Sequence, residues 1–551
     1  MNEVNLLPDS WTTATVAEIG AVITGNTPST QNQDNYGGFI PFVKPPQLMD
    51  SQIENTKEYL SEQGVKFSRV LPPLSVLVSC IGNLGKTGIN KIPVAFNQQI
   101  NAIVPSGGIS AAYLFYQAQS HSFRCQLESK ATATTISIVN KGNFETVILN
   151  IAPFNEQHRI VAKIEELFSE LDKGIENLKT AQAQLKVYRQ ALLKHAFEGK
   201  LTAQWRAERH AKQSVAPAKA GAQPLNDMDS RPTPSRGLAL RGNDKVGDGN
   251  DKPLETADTL LKRIQQERAQ RYQQQLADWE ASGKQGSKPK PPKTLLPLTA
   301  EELAKLPELP EGWGWVKSGE LFESVTSGSR GWAEYYADSG AIFIRITNLD
   351  FDSLKLDLSP KKIQYVQPPV GAEGLRTKVK EGDFLFSITG YLGMFAIAPS
   401  IGDSYVNQHI SLARPLDGFS KKYFGYYVTS HTGGIHYLNK QTKGAVKAGL
   451  GLDDIQNFPV PICSLNEQIQ ISSELESRLS ETDQLDQTIT TALQQAEALR
   501  QSILKKAFSG QLVPQDPNDE PASELLARIR AERADNGSRN TNQRRTKKVF
   551  A

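Results

Sequence analysis

Phe154-Asn155-Glu156-Gln157 opens a run that closes on Ala196-Phe197-Glu198-Gly199-Lys200-Leu201. The same run returns as Leu465-Asn466-Glu467-Gln468 to Ala507-Phe508-Ser509-Gly510-Gln511-Leu512. The displacement is 311 residues at both ends (155 to 466, 196 to 507), so the two copies have kept one length. A long-range repeat decides architecture before any local reading does, because each copy must bury the same kind of face. In the first copy Ile164, Leu171, Leu178, Leu185 and Leu192 fall seven apart, interleaved by Ile160, Leu167, Gly174, Ala181, Tyr188 and His195. In the second, Ile471, Leu475, Thr482, Leu485, Ile489, Ala492, Ala496, Leu499 and Ile503 keep the ladder. A heptad sustained this long predicts coiled-coil packing, with each copy the other's partner. Small residues at Gly174, Ala181, Ala492 and Ala496 leave room for close approach. Both runs end in Phe-x-Gly, the glycine suiting a left-handed C-cap. At about 1.5 Å per residue, ~44 residues make a rod of roughly 65 Å.

The segments ahead of the two helices match more loosely. Leu7-Pro8-x-x-Trp11 recurs as Leu309-Pro310-x-x-Trp313, Ser75 to Gly85 aligns with Asp383 to Gly393, and Asn97-Gln98-Gln99-Ile100 aligns with Asn407-Gln408-His409-Ile410. The displacement drifts from 302 to 310 across these anchors, so short insertions separate a shared framework whose intervening sequence has diverged. Short apolar or alternating runs bounded by Gly, Pro and Asn predict β-rich domains, with short helices at 111–122 and 421–430. The expected fold class is α+β: two β-rich domains separated by two long repeated helices that pair as an antiparallel coiled coil. The expected boundaries are 1–152 and 301–462 for the domains, 153–205 and 463–512 for the helical spacers, and 513–551 for a C-terminal helix and basic tail.

Residues 206–300 form the expected linker. From 206 to 271 there is no Phe, Tyr or Trp, too little apolar surface to offset the entropy of ordering. A third repeat sits inside it: Glu255-x-Ala257-x-x-Leu260-Leu261-x-Arg263-Ile264 matches Glu520-x-Ala522-x-x-Leu525-Leu526-x-Arg528-Ile529, 265 residues apart. The difference between 311 and 265 leaves 46 extra residues in the first linker, read as a disordered insertion at about 212–250 ahead of a short helix at about 256–281.

The remaining composition mostly excludes. Three cysteines (Cys80, Cys125, Cys463) lack metal or disulfide spacing. Met1-Asn2-Glu3-Val4-Asn5 is no signal peptide, and no apolar run reaches the ~18–20 residues of a membrane span, so the expected compartment is cytoplasmic. A net charge of +3 carries little DNA affinity by itself; local patches must supply it. Gly82-Asn83-Leu84-Gly85-Lys86-Thr87 tempts a phosphate-loop reading. However, Cys80 stands where the first glycine belongs, and Gly88-Ile89-Asn90-Lys91-Ile92-Pro93 starts no helix. No methyltransferase tetrapeptide, GxGxxG, catalytic triad or metal-spaced cluster occurs, and His409, His431 and His436 have no counterparts in the first domain. Catalysis by this chain, or a cofactor or metal on it, is therefore not expected. The candidate DNA contacts are Lys44, Asn83 and Lys86 in the first domain and Arg330, Arg345, Asn348 and Tyr391 in the second. Arg can fork onto guanine, Asn onto adenine, and Lys can reach phosphate.

This order of parts resembles the specificity subunit of Type I restriction–modification systems. The Pro153-x-Asn155-Glu156-Gln157 opening and the Ala-Phe-x-Gly-x-Leu ending are the most specific points of likeness. The earlier placement of Pro461 and the long first linker depart from it. The resemblance implies two target-recognition domains, each reading half of a bipartite site in double-stranded DNA. It implies helices that act as a ruler for the unread spacer and dock two modification subunits carrying S-adenosylmethionine, with restriction subunits adding ATP- and Mg2+-dependent translocation and cleavage. It places no chemistry on this chain. Two other readings compete: a self-contained DNA methyltransferase, which the missing tetrapeptide opposes, and a coiled-coil scaffold.

Overall fold

A computed structural model of the chain describes residues 7–49, 51–132, 136–214, 255–286, 288–328, 330–351, 353–368, 371–440 and 449–549. From residue 215 on, the insertion expected at 212–250 lies outside the described residues. Two compact units are present, residues 1–181 with 487–551 and residues 182–486, so each long helix contributes one half to each unit.

The first unit holds strands β1 (Thr12–Thr15), β2 (Gly20–Thr24), β3 (Tyr36–Val43), β4 (Ser51–Ile53), β5 (Tyr59–Leu60), β6 (Val70–Leu71), β7 (Val76–Ser79), β8 (Thr87–Asn90), β9 (Val94–Phe96), β10 (Ile100–Pro105) and β11 (Ile148–Ile151). Its domain helices are α1 (Val16–Ile19), α2 (Glu62–Lys66), α3 (Ala111–Ala118), α4 (His121–Ser129) and α5 (Lys141–Glu145), and the long α6 (Phe154–Phe197) follows. One sheet runs β2-β10-β7-β8-β4, a second β5-β3-β9-β6, and β1 pairs with β11. All four residues of β7 are buried because both of its faces meet a core. Val76 and Val78 point into one and Leu77 into the other, as the two-residue period of a strand requires. This explains why the run reads as continuous apolar sequence rather than as alternation.

The second unit continues with α7 (Ala203–Ser214), α8 (Ala257–Ala281) and α9 (Ala300–Leu303). Its strands are β12 (Gly314–Lys317), β13 (Phe322–Ser327), β14 (Tyr336–Ala337), β15 (Ala341–Ile344), β16 (Tyr365–Val366), β17 (Phe384–Ser387), β18 (Phe395–Ile397), β19 (Ser404–Val406), β20 (Ile410–Pro415) and β21 (Pro459–Ile462). The remaining helices are α10 (Ala372–Thr377), α11 (Lys421–Thr429), α12 (Gly434–Lys440), α13 (Leu452–Asn457) and the long α14 (Leu465–Ala507), with α15 (Ala522–Val549) in the first unit. The order β13-β20-β17-β18 repeats β2-β10-β7-β8 strand for strand. Phe384 and Phe386 face one core and Leu385 the other, as in β7.

The two long helices pack antiparallel. In the first unit Ile160, Ile164 and Phe168 share a core with Ile503, Leu504, Ala507 and Phe508. In the second, Leu192, Leu193, Ala196 and Phe197 join Ile471, Leu475 and Leu479. Polar pairs along the seam run in opposite directions on the two helices: Asp172 with Arg500 in the first unit, Gln182 with Asp486 (3.0 Å) and Arg189 with Asp483 (2.7 Å) in the second. Of the expected seam, Ile164, Leu192, Leu475, Ile489 and Ile503 are buried, and Leu171, Leu178 and Leu185 are half-buried. Leu485 and Leu499 are not seam residues, being 54% and 51% exposed. The inward rows of α14 fall on 475, 482, 489, 496, 503, all buried, and on 479, 486, 493, 500, 507, of which 486, 493 and 500 are half-buried. Asp486 and Arg500 occupy two positions of the second row, so apolar counting selected the leucine one residue earlier. In α6 the interleaved row is likewise shifted one residue later, to Phe168 and Ala196, while Ile160 stays buried and Tyr188 is exposed.

The repeat ends serve as fasteners. Trp11 Nε1 donates to Glu156 (3.1 Å) and Trp313 Nε1 to Glu467 (3.0 Å), tying each Leu-Pro-x-x-Trp to the start of a long helix. Gln157 accepts from Ser110 N–H (2.9 Å) and donates to Ala152 O (2.9 Å); Gln468 does the same with Ser420 N–H (2.9 Å) and Cys463 O (2.8 Å). Each Phe-x-Gly end meets the same motif. A Cβ on Gly199 would lie 2.4 Å from Pro310, and one on Gly510 would lie 2.3 Å from Pro8. Both glycines have positive φ (69° and 74°), as a left-handed cap requires.

Candidate nucleic-acid interface

The two β-hairpins β7–β8 and β17–β18 end in turns of one design. Ser79 Oγ donates to Asn83 O (2.6 Å) and accepts from Lys86 N–H (2.9 Å). Ser387 Oγ donates to Tyr391 O (2.5 Å) and accepts from Met394 N–H (2.9 Å). The flanking glycines all take positive φ (Gly82 76°, Gly85 78°, Gly390 74°, Gly393 89°), a conformation that favours glycine. The turn therefore holds a fixed shape whatever stands at its tip. Asn83 occupies that tip in the first unit and Tyr391, 70% exposed, in the second. Lys86, at the foot of the first turn, is half-buried, and Met394 takes its place in the second. After Lys86 the chain enters β8 directly, so no helix follows the turn and a phosphate-loop geometry is not formed.

A second feature is matched between the two units around Lys44 and Arg345. Lys44 follows β3, which pairs parallel with β9, and Arg345 follows β15, which pairs parallel with β19. Each starts a 3-10 turn, its backbone N–H donating to the amide side chain three residues on: Gln47 Oε1 (2.8 Å) and Asn348 Oδ1 (2.8 Å). The signal in the sequence is basic-x-x-amide-Leu, Lys44 to Leu48 and Arg345 to Leu349. The heads of these two residues are partly engaged. Lys44 Nζ lies 2.6 Å from Glu58, and Arg345 donates to Lys362 O (3.2 Å) while its buried Nε has no partner.

Asn348 needs correction as a base-reading candidate. It is 1% exposed, and its amide also donates to Asp357 O (2.9 Å) and Lys362 O (3.2 Å), so it is a cap that supports Arg345. Arg330 is exposed. Asn97 and Asn407 hold matched turns, accepting from Gln99 N–H (3.2 Å) and His409 N–H (3.1 Å). Among the described residues no group of three His, Cys, Asp or Glu side chains is placed to hold a metal ion. Burial pushes the Cys80 thiol up to about 12 and raises Cys463 as well, so neither is a thiolate at neutral pH. No helix of the described residues is long and apolar enough to cross a membrane.

Comparison with known proteins gives one family. The profile of the Type I restriction modification DNA specificity domain matches twice, over residues 8–180 and 310–495. The chain is 21% identical to the EcoBI specificity subunit of Escherichia coli over 99% of its own length and 97% of that protein. It is 29% identical to the HindI specificity subunit of Haemophilus influenzae over 185 residues. That match spans 39% of the HindI protein, and a match to the MjaIX specificity subunit of Methanocaldococcus jannaschii spans 45% of that one. A solved structure concerned with assembly and conformational transition of the type I R-M system shares the fold. It is 17% identical, with a TM-score of 0.59, and covers 92% of this chain and 99% of the other.

Proposed function

We infer that each β-rich domain reads one half of a bipartite DNA target, because the chain belongs to the Type I restriction modification DNA specificity family and carries the reading turn twice. The single observation that supports two readers over one is the matched turn: identical serine bracing and glycine conformation, but Asn83 at one tip and Tyr391 at the other. A shared frame with unlike tips suits two related but different half-sites. Asn83 offers an amide for a base edge, Lys86 and Arg330 offer cations for phosphate, and Tyr391 offers a ring for stacking or a hydroxyl. Lys44 and Arg345, on matched 3-10 turns, offer further cations.

In this reading the domains are 1–152 and 301–462, and the paired helices hold them at a fixed spacing and dock two modification subunits. Adenine methylation with S-adenosylmethionine belongs to those subunits, and ATP- and Mg2+-dependent restriction to further ones. This chain's own residues bind and orient DNA. The test is to co-express the chain with its modification subunits and sequence the methylome of the host. A split motif with an unread gap supports the reading. Adding seven residues to both helices at one level, after Ala181 and after Asp486, preserves the heptad and adds about 10 Å, so the gap should grow by roughly three base pairs at 3.4 Å each. An unsplit motif, or no sequence dependence, refutes it and leaves the scaffold reading.

A further inference from the structure

The repeat at 255–269 and 520–534 gives the two units one more matched element. Helix α15 begins with Ala522 N–H donating to Ser10 O (2.8 Å), and α8 with Ala257 N–H donating to Gly312 O (2.9 Å); Ser10 and Gly312 each directly precede the tryptophan of Leu-Pro-x-x-Trp. Both helices carry the same ion pair, Arg528 with Glu520 (2.9 Å) and Arg263 with Glu255 (3.0 Å).

Their apolar faces go to the core behind the reading turn. Ala522, Leu525, Leu526 and Ile529 share one core with Val76, Val78, Cys80 and Leu84, the last of these lying inside the turn. Ala257, Leu260 and Ile264 share theirs with Phe384, Phe386 and Ile388. Each helix also closes on a left-handed glycine after the sheet's second strand. Leu525 sits 2.4 Å from where a Cβ on Gly108 (φ +85°) would be, and Arg263 and Ile264 lie 3.1 and 3.5 Å from the same point at Gly418 (φ +88°).

The last contact is to the edge strand. Arg533 donates to Ala17 O and, at 2.9 Å, to Gly20 O where β2 begins, and Arg530 pairs with Glu18 (2.6 Å). In the second unit Arg271 holds the corresponding strand β13 through Glu323 (3.2 Å) and also pairs with Asp417. From β2 the ladder passes through β10 to β7, whose Ser79 braces the turn.

We propose that these helices are the positioning elements of the two reading turns, and that they act crosswise to sequence order. Helix α15, from the far end of the chain, positions the turn of the first domain, and α8, which follows the first spacer, positions that of the second. The proposal rests on the turns being the DNA readers. A substitution in α15 then relaxes recognition of the half-site read by residues 7–152, although it lies beyond the second domain.

The experiment uses the full chain with its modification subunits and measures methylation of duplexes mismatched at single positions in either half-site. Arg533→Ala is the mild variant in α15 and Leu525→Ala the stronger one; in α8, Leu260→Ala matches Leu525→Ala by the repeat, and Arg271→Ala removes the comparable hold on the edge strand. The α15 variants should raise methylation of sites mismatched in the first domain's half-site by about tenfold, roughly the share of one base pair, and leave discrimination in the other half unchanged. The α8 variants should do the reverse, and Arg533→Lys should restore most of the loss. Equal relaxation of both halves, relaxation of the second domain's half by α15 variants, or a lower melting temperature with unchanged discrimination would each overturn the proposal. An unsubstituted chain without sequence dependence would overturn the DNA reading itself, and the inference with it.

Discussion

Asn348 and Tyr391 show how differently two polar side chains in one domain can be used. Losing the Asn348 amide leaves Arg345 N–H and two carbonyls without their partner in a buried place, so Asn348→Ala should destabilise the second unit by about 1–3 kcal/mol, read by chemical denaturation. Tyr391→Ala removes an exposed ring and should stay within about 0.5 kcal/mol of the parent while weakening DNA binding. Lys86→Ala should likewise spare stability and lower the slope of log affinity against log salt by about one. A Tyr391 variant that unfolds early, or an Asn348 variant that does not, would reverse these roles. The residue types at these positions could be read from the chain, but burial could not, so Asn348 looked like a base reader. Asp519 gives a pH test. Its hydrogen bond from Arg159 (2.6 Å) holds its carboxyl below the usual 3.8. A depressed carboxylate stabilises the fold above its ordinary pKa, and that stability fades as pH falls through the lowered value. Asp519→Asn should therefore lower the melting temperature at pH 7 and converge with the parent as the pH falls below the lowered value. A constant difference across that range would discard the pair as the cause.

The long helices test the account at the level of elements. Leu475 is buried in the seam and Leu485 faces water, although both keep the apolar ladder. Leu475→Ala should cost about 2–5 kcal/mol, and Leu485→Ala should stay within about 0.5 kcal/mol. Equal costs would put the seam back on the apolar count. Leu178, half-buried at mid-helix, is a weaker site for such a test. The helices' existence, length and partnership were legible because a fixed displacement of 311 residues leaves little freedom. The phase was legible only in part, since Asp486 and Arg500 sit half-buried on the inward row and are satisfied by Gln182 and Asp172 of the facing helix. Polar residues that satisfy one another across a seam are invisible to a hydrophobic count.

At the level of the whole molecule, two β-rich domains and their shared framework were evident from the sequence, but the membership of the units was not. Sequence order suggests that each domain keeps the helix that follows it. The structure gives each unit half of both helices, with the Phe-x-Gly end of one repeat seated on the Leu-Pro-x-x-Trp motif that opens the next domain. A repeat reports the length of an element and says nothing of which copy its ends will touch. If two domains on one frame read separately, exchanging residues 7–152 for the matching domain of a relative alters only the half-site that this domain reads. Methylome sequencing of a host carrying the exchanged chain and its modification subunits should show one half of the motif replaced, with the other half unchanged. A change in both halves, or in neither, would contradict it.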